Sequence, residues 1–335
     1  MRAGLSLIFF ISIIFAVLAG SGVYGYGNDF YAAYHKPNLD WGGTTDYLGF
    51  RIATLTIYGT HLGVYIVSFL ISCATGLLLY ISTYQSFTKK YKWLFYVLFI
   101  ILIHTWPVIM STSNGMRQGL SMTFLFLALY FSSTKNYLLF IVTSIIAALM
   151  HKSGIVFTSM LFISGVTIYF FYAFKLNIFL RRILLLIMAG VLAISLFIFI
   201  EIYIPNREDS HIINNDFRYP FLMINFIYVF FFMKTFIKQK EIIYYYLFFL
   251  SCTLPIFLLQ GFNWEYERLN MMIIIPYLIS FSSLFILQQR KIILTLSLTS
   301  LLMLTLYVGI YDSMYSSYED WLFNEEYDRW LELNL

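Results

Sequence analysis

Runs of some twenty apolar residues, separated by short polar breaks, recur from one end of the chain to the other. A helix needs about 20 such residues to cross a hydrocarbon core of roughly 30 Å, and about eleven stretches meet that need. With 60% hydrophobic and 11% charged residues in a chain of 335, the sequence suits lipid and excludes a soluble enzyme. The aromatic share of 21% exceeds what one soluble core requires. The net charge of +4 is scattered in ones and twos, which excludes a nucleic-acid footprint.

The fold class is therefore all-α and polytopic, one integral membrane domain over 1–335. The first six spans are read as Gly4–Val23, Gly59–Thr83, Trp93–Met110, Met116–Phe131, Tyr137–Met150 and Gly154–Phe174. The next five are Ile183–Ile204, Tyr219–Met233, Ile242–Leu259, Leu269–Leu287 and Ile292–Ile310. Lys and Arg stay on the cytoplasmic side of short loops. With the N-terminus inside, the inner loops hold 13 of the 21 Lys and Arg residues, and all but Glu241 of the acids fall outside. The C-terminus then lies outside. The opening stretch Leu5–Gly20 is read as a retained span and not a cleaved signal, because the later loop charges alternate correctly only if it stays.

The longest polar segments, 24–58, 205–218 and the tail from 312 to 335, all fall on the outer side. Phe323, Tyr327, Trp330 and Leu331 form one stripe of a short amphipathic helix in that tail, suited to the outer interface. The inner loops are too short to fold a nucleotide site, so any chemistry faces outward. Cys73 and Cys252 lie inside spans, which argues against a disulfide framework. No Asp-x-Asp pair, P-loop, Gly-x-Ser-x-Gly or His-Glu-x-x-His occurs, so neither a metal nor a cofactor is expected.

Cations in the outer half of the membrane are the informative residues, since a charge near the bilayer centre costs about 2.5–3.5 kcal/mol on insertion scales. Arg117 follows a polar break and begins a span returning inward, which places it about 22 Å above the inner boundary. His151 ends a span of 14 residues that starts at Tyr137, at about 21 Å. Such breaks are tolerated only where they line a cavity or pack in protein, which implies an outward-facing vestibule. Arg268 begins the tenth span near the rim, at about 30 Å, and Arg51 closes the first outer loop. Arginine suits phosphate because its planar fork donates parallel hydrogen bonds. Each also has a bland reading: Arg117 and Arg268 as snorkelling side chains or partners of Glu265 and Glu267, His151 as a packed histidine. The first outer loop mixes Tyr31, Trp41 and other aromatics with Asp29, Asp40 and Asp46, which fits sugar rings as well as an interfacial belt.

Four pieces of the chain resemble one known family. They are Asn28-Asp-Phe-Tyr-Ala-Ala-Tyr34, Arg117-Gln-Gly-Leu-Ser, His151-Lys-Ser-Gly-Ile and Glu267-Arg-Leu-Asn, in that order along the spans. Together they resemble the EpsG-like branch of the Wzy-type bacterial polysaccharide polymerases. The resemblance implies an enzyme of the bacterial cytoplasmic membrane, multi-pass and working at its outer face. A growing glycan would pass from undecaprenyl pyrophosphate to the non-reducing sugar of a lipid-linked repeat unit. Membrane lipid, the lipid-linked donor and acceptor, a chain-length regulator and a flippase of the same pathway are the partners it implies. On this reading Arg117 and Arg268 stabilise the departing pyrophosphate. His151 is the general base, since imidazole ordinarily titrates near working pH. Alternatively His151 is a phosphate ligand and Asp29 or Asp46 is the base. Arg51, Asp29, Asp46, Tyr31 and Glu267 are the expected substrate contacts. A flippase or transporter of the same lipid, or a glycan ligase, is the rival reading; a carrier should show charges reaching both faces and an inverted repeat, and the sequence shows neither.

Overall fold

The computed structural model describes residues 2–24, 30, 47–83, 92–113 and 115–174, with scattered positions between 177 and 198, 272 and 282, and 292 and 303. Among the described residues the secondary structure is helical, apart from one isolated bridge between Ile57 and Thr60. The helices are α1 (Arg2–Gly20), α2 (Tyr47–Ala53), α3 (Leu62–Thr83), α4 (Lys92–Ile103), α5 (Trp106–Ser113), α6 (Met116–Ser133), α7 (Tyr137–Met150) and α8 (Lys152–Ala173). The expected spans eight and nine, most of spans seven, ten and eleven, and the amphipathic tail lie outside the described residues.

One described helix, over Leu62–Ser82, is long and apolar enough to cross a membrane alone, and the bent pair α4 and α5 makes a second crossing if it is one span. The third span, expected to run unbroken from Trp93 to Met110, is instead bent by 53° between Ile103 and Trp106. Pro107 explains the bend: it has no N–H to donate, and its ring collides with the carbonyl four residues back. The break leaves the Ile100 carbonyl without its usual helical donor. The His104 ring supplies one, Nδ1 donating to that oxygen at 2.7 Å.

Helices α1 and α3 pack through small residues. Ser12, Ala16 and Ala19 on α1 and Ser68, Ser72, Thr75 and Ala74 on α3 are buried, and Gly20 lies flat against the Tyr65 ring. Small side chains let helix axes approach closely, which is how helices associate when the solvent is itself apolar. The outward faces are the opposite: Phe9, Phe10 and Val17 on α1, Leu138 and Ile145 on α7, and Val166 and Tyr169 on α8 are all exposed. Such a surface is solvated by lipid tails better than by water.

A three-residue connection folds α6 and α7 into a tight antiparallel hairpin. Lys135 adopts a left-handed φ of 60°, and Asn136 caps α7 by accepting from the Leu139 N–H at 3.3 Å. Two further contacts fix the register of the pair. The Ser121 hydroxyl donates to the Ala147 carbonyl at 2.8 Å, satisfying one of the last four carbonyls of α7. Gly154 of α8 presses against that same carbonyl and the Ser121 hydroxyl, where a Cβ would have no room.

Candidate functional site

The Ser121–Ala147 bond sets the level of Arg117 and His151 along the hairpin. Four residues back along α6 from Ser121 is Arg117, and four residues on from Ala147 is His151. In an antiparallel pair these positions are level with each other, about 6 Å beyond the bond at 1.5 Å per residue. Arg117 is therefore on the first turn of α6 beside the end of α7, and both residues are half-buried.

A short helix that sequence reading had left within the outer loop completes the arrangement. Helix α2 packs on α6, α7 and α3. Its Gly49 meets the main chain of Met150, so closely that a Cβ would overlap the Met150 carbonyl. Phe50, the next residue, lies under the Arg117 guanidinium, with 5.9 Å from the Arg117 Cζ to the ring centroid. A cation over an aromatic face is held by the ring quadrupole, at about 0.5–2 kcal/mol depending on exposure. Below lies an apolar floor of Phe30, Phe50, Ala53, Val64, Val67, Met116, Leu120 and Met150. Arg51 on α2 is exposed.

His151 is the hinge between α7 and α8. Its backbone is extended, at φ −159° and ψ 146°, and its side chain turns back over the start of α8. The Ser153 N–H donates to His151 Nδ1 at 3.2 Å, and the Ser153 hydroxyl lies 2.7 Å from the same nitrogen. The first amides of a helix have no partner inside it, and here the imidazole serves one. Ser153 is itself buried and its hydroxyl also lies 3.2 Å from Met272 Sδ. That contact ties the His151 turn to the segment that follows Glu267-Arg268-Leu-Asn.

Parts of three of the four sequence pieces thus meet at one place, with a residue just past the fourth. Phe30 belongs to the first piece, Arg117 to the second, His151, Ser153 and Gly154 to the third, and Met272 lies two residues past the fourth. Asp29, Tyr31, Asp46, Glu267 and Arg268 lie outside the described residues. Among the described residues no three His, Cys, Asp or Glu side chains come together as a metal site.

A second polar cluster stands apart, at the bend of α4 and α5. The Tyr24 hydroxyl donates to His104 Nε2 at 2.8 Å, while Nδ1 is engaged with Ile100. Burial pushes the Tyr24 phenol up from its ordinary range, which keeps it protonated and a donor. Phe15 packs edge-on against His104 at 5.6 Å. Both ring nitrogens of His104 hold the fold together. His61 is similarly packed, with Phe30 edge-on at 4.9 Å.

The sequence points to roles for Arg117 and His151; Ser121, Ser153 and Gly154 stand in the same motifs, and Gly49 and Phe50 in the first loop, without a role of their own. A signal was present for three of them: Ser121 stands four positions from Arg117, and Ser153 and Gly154 stand two and three from His151, whereas Gly49 and Phe50 are distant in sequence from the residues they meet.

A helical chain with apolar outward faces, and with an arginine and a histidine at one end of a hairpin, has the make-up of a membrane-associated protein. The model described as EpsG family matches residues 2–322, and the chain belongs to that family. EpsG-like proteins are Wzy-type polysaccharide polymerases. No curated protein matches the chain, and no solved structure does.

Proposed function

We propose that this protein polymerises a bacterial surface polysaccharide at the outer face of the cytoplasmic membrane. It transfers a growing glycan from undecaprenyl pyrophosphate to a non-reducing-end hydroxyl of a lipid-linked repeat unit. The acceptor oxygen forms a bond to the anomeric carbon, the bond from that carbon to the pyrophosphate oxygen breaks, and undecaprenyl pyrophosphate leaves with the electron pair. The hydroxyl proton passes to a base.

The similar level of Arg117 and His151 at one end of the hairpin supports this reading. A departing pyrophosphate needs positive charge already in place, and Arg117 is held in place from below by Phe50. Chain connectivity brings Arg268 into the same reading: it precedes Met272 by four residues, which limits their Cα separation to about 14 Å. Arg117 and Arg268 supply the charge without a divalent metal. Arg51, Asp29, Asp46, Tyr31 and Glu267 contact the sugars.

The test is the length distribution of surface polysaccharide in a strain lacking the protein, complemented at matched protein level. The wild-type gene restores a ladder of lengths and the Arg117→Ala gene leaves single repeat units. If single units also disappear from the surface of the null strain, the protein exports them and the polymerase reading fails.

A further inference from the structure

A histidine that can only donate implies a different division of labour from a histidine that acts as the base. The backbone N–H of Ser153 can only donate, so the His151 nitrogen it points at must accept. A protonated Nδ1 would set two hydrogens against each other across 3.2 Å. The proton of the imidazole is therefore on Nε2, and the tautomer is fixed by the first turn of α8. With Nδ1 an acceptor, the Ser153 hydroxyl turns its one hydrogen to that nitrogen at 2.7 Å, and Met272 Sδ at 3.2 Å is then a packing contact. A ring held in this way presents an N–H and no lone pair to whatever lies beyond Nε2. Arg117, level with it, likewise only donates.

Resting on the polymerase reading, we propose that His151 is a pyrophosphate ligand through Nε2–H, with Ser153 as its positioning residue. A carboxylate of the outer segments then takes the acceptor proton. His151 and Arg117 together bind two of the pyrophosphate oxygens, and the negative charge that grows as the glycosidic carbon departs is met by both.

Glutamine and asparagine separate the two roles of a histidine, because the Gln amide N–H falls near the position of Nε2 and the Asn amide near Nδ1. Neither is a base. In the complemented null strain His151→Gln keeps polymer synthesis within about tenfold of wild type. His151→Asn and His151→Ala lose about 10- to 150-fold, the worth of one hydrogen bond to a charged group. If His151 is the base, Gln falls as far as Ala, by about 10²- to 10⁴-fold, and the proposal is overturned. A measurement on the wild-type chain decides the matter should His151→Gln fail to accumulate. Met150-His151 is the sole Met-His pair in the sequence, so carbonyl-¹³C Met with ¹⁵N His labelling isolates its signals by solid-state NMR in membranes. A protonated Nε2 with an acceptor Nδ1 supports the proposal, and a protonated Nδ1 refutes it. Failure of the wild-type gene to restore any ladder would instead sink the polymerase reading, whichever tautomer is found.

Discussion

Replacing Gly154 by Ala tests whether the three-helix contact behind the site sets its geometry. The new methyl group meets the Ala147 carbonyl first and the Ser121 hydroxyl next, both closer than any real Cβ contact allows. Overpacking a tight contact costs about 1–3 kcal/mol. Displacing Ser121 from the Ala147 carbonyl, now 2.8 Å away, removes a hydrogen bond worth about 0.5–1.5 kcal/mol. Alanine returns up to about 1 kcal/mol through its better helix propensity. The net loss is about 0.5–3.5 kcal/mol, a few degrees in the melting temperature of the detergent-solubilised protein. Polymer length should shorten as well, because α7 must shift relative to α6 and carry His151 out of line with Arg117. The nearest obstacle is main chain, so adding Ser121→Ala does not rescue the variant. Unchanged melting together with an unchanged ladder in Gly154→Ala would refute the claim that this contact positions the pair.

Phe50→Leu keeps much of the apolar floor but removes the aromatic face under Arg117, and polymer synthesis should fall by about 2- to 30-fold while Phe50→Tyr stays near wild type; equal activity of the Leu and Tyr variants would contradict this. Tyr24→Phe leaves His104 Nε2 without its donor, so melting should drop by about 1 kcal/mol equivalent with activity per folded molecule unchanged, as measured on protein-normalised membranes. Asn136→Ala removes the cap of α7 and should cost about 0.5–2 kcal/mol by melting, whereas Asn136→Asp retains most of it. Tyr58 is fully exposed in a left-handed conformation with φ 49°, so Tyr58→Gly should relieve roughly 1 kcal/mol of strain and leave melting unchanged or higher.

The hairpin that carries the site was legible in the sequence. Helix α7 has the bounds read for the fifth span, and α6 begins at Met116 as read and runs two residues past Phe131. These limits follow from polar breaks at Ser113-Asn-Gly and Ser132-Ser-Thr-Lys-Asn, which neither lipid nor a helix interior favours. Stretches of similar length on either side of a short turn, from Arg117 to Ser133 and from Tyr137 to His151, bring the two residues to a similar level, in line with the register bond. The bend at Pro107 was missed because counting apolar length gives no weight to a missing N–H. Helix α2 was missed because seven residues of mixed polarity carry no clear period, and its place comes from docking against α6 and α7. The Phe50–Arg117 pair is separated by more than sixty residues and has no local signature. His151 could be recognised by type, but its protonated nitrogen could not, since that depends on an amide two residues along and the turn of the chain between them.

Elongation by the purified protein in lipid vesicles, supplied with lipid-linked repeat units alone, tests the proposed chemistry most directly. Gel analysis of the glycans and quantification of free undecaprenyl pyrophosphate follow both products of one transfer. The wild-type protein should yield a ladder with one undecaprenyl pyrophosphate released per unit added, and Arg117→Ala should yield neither. Movement of intact repeat units across the vesicle membrane with no ladder and no released carrier would contradict it.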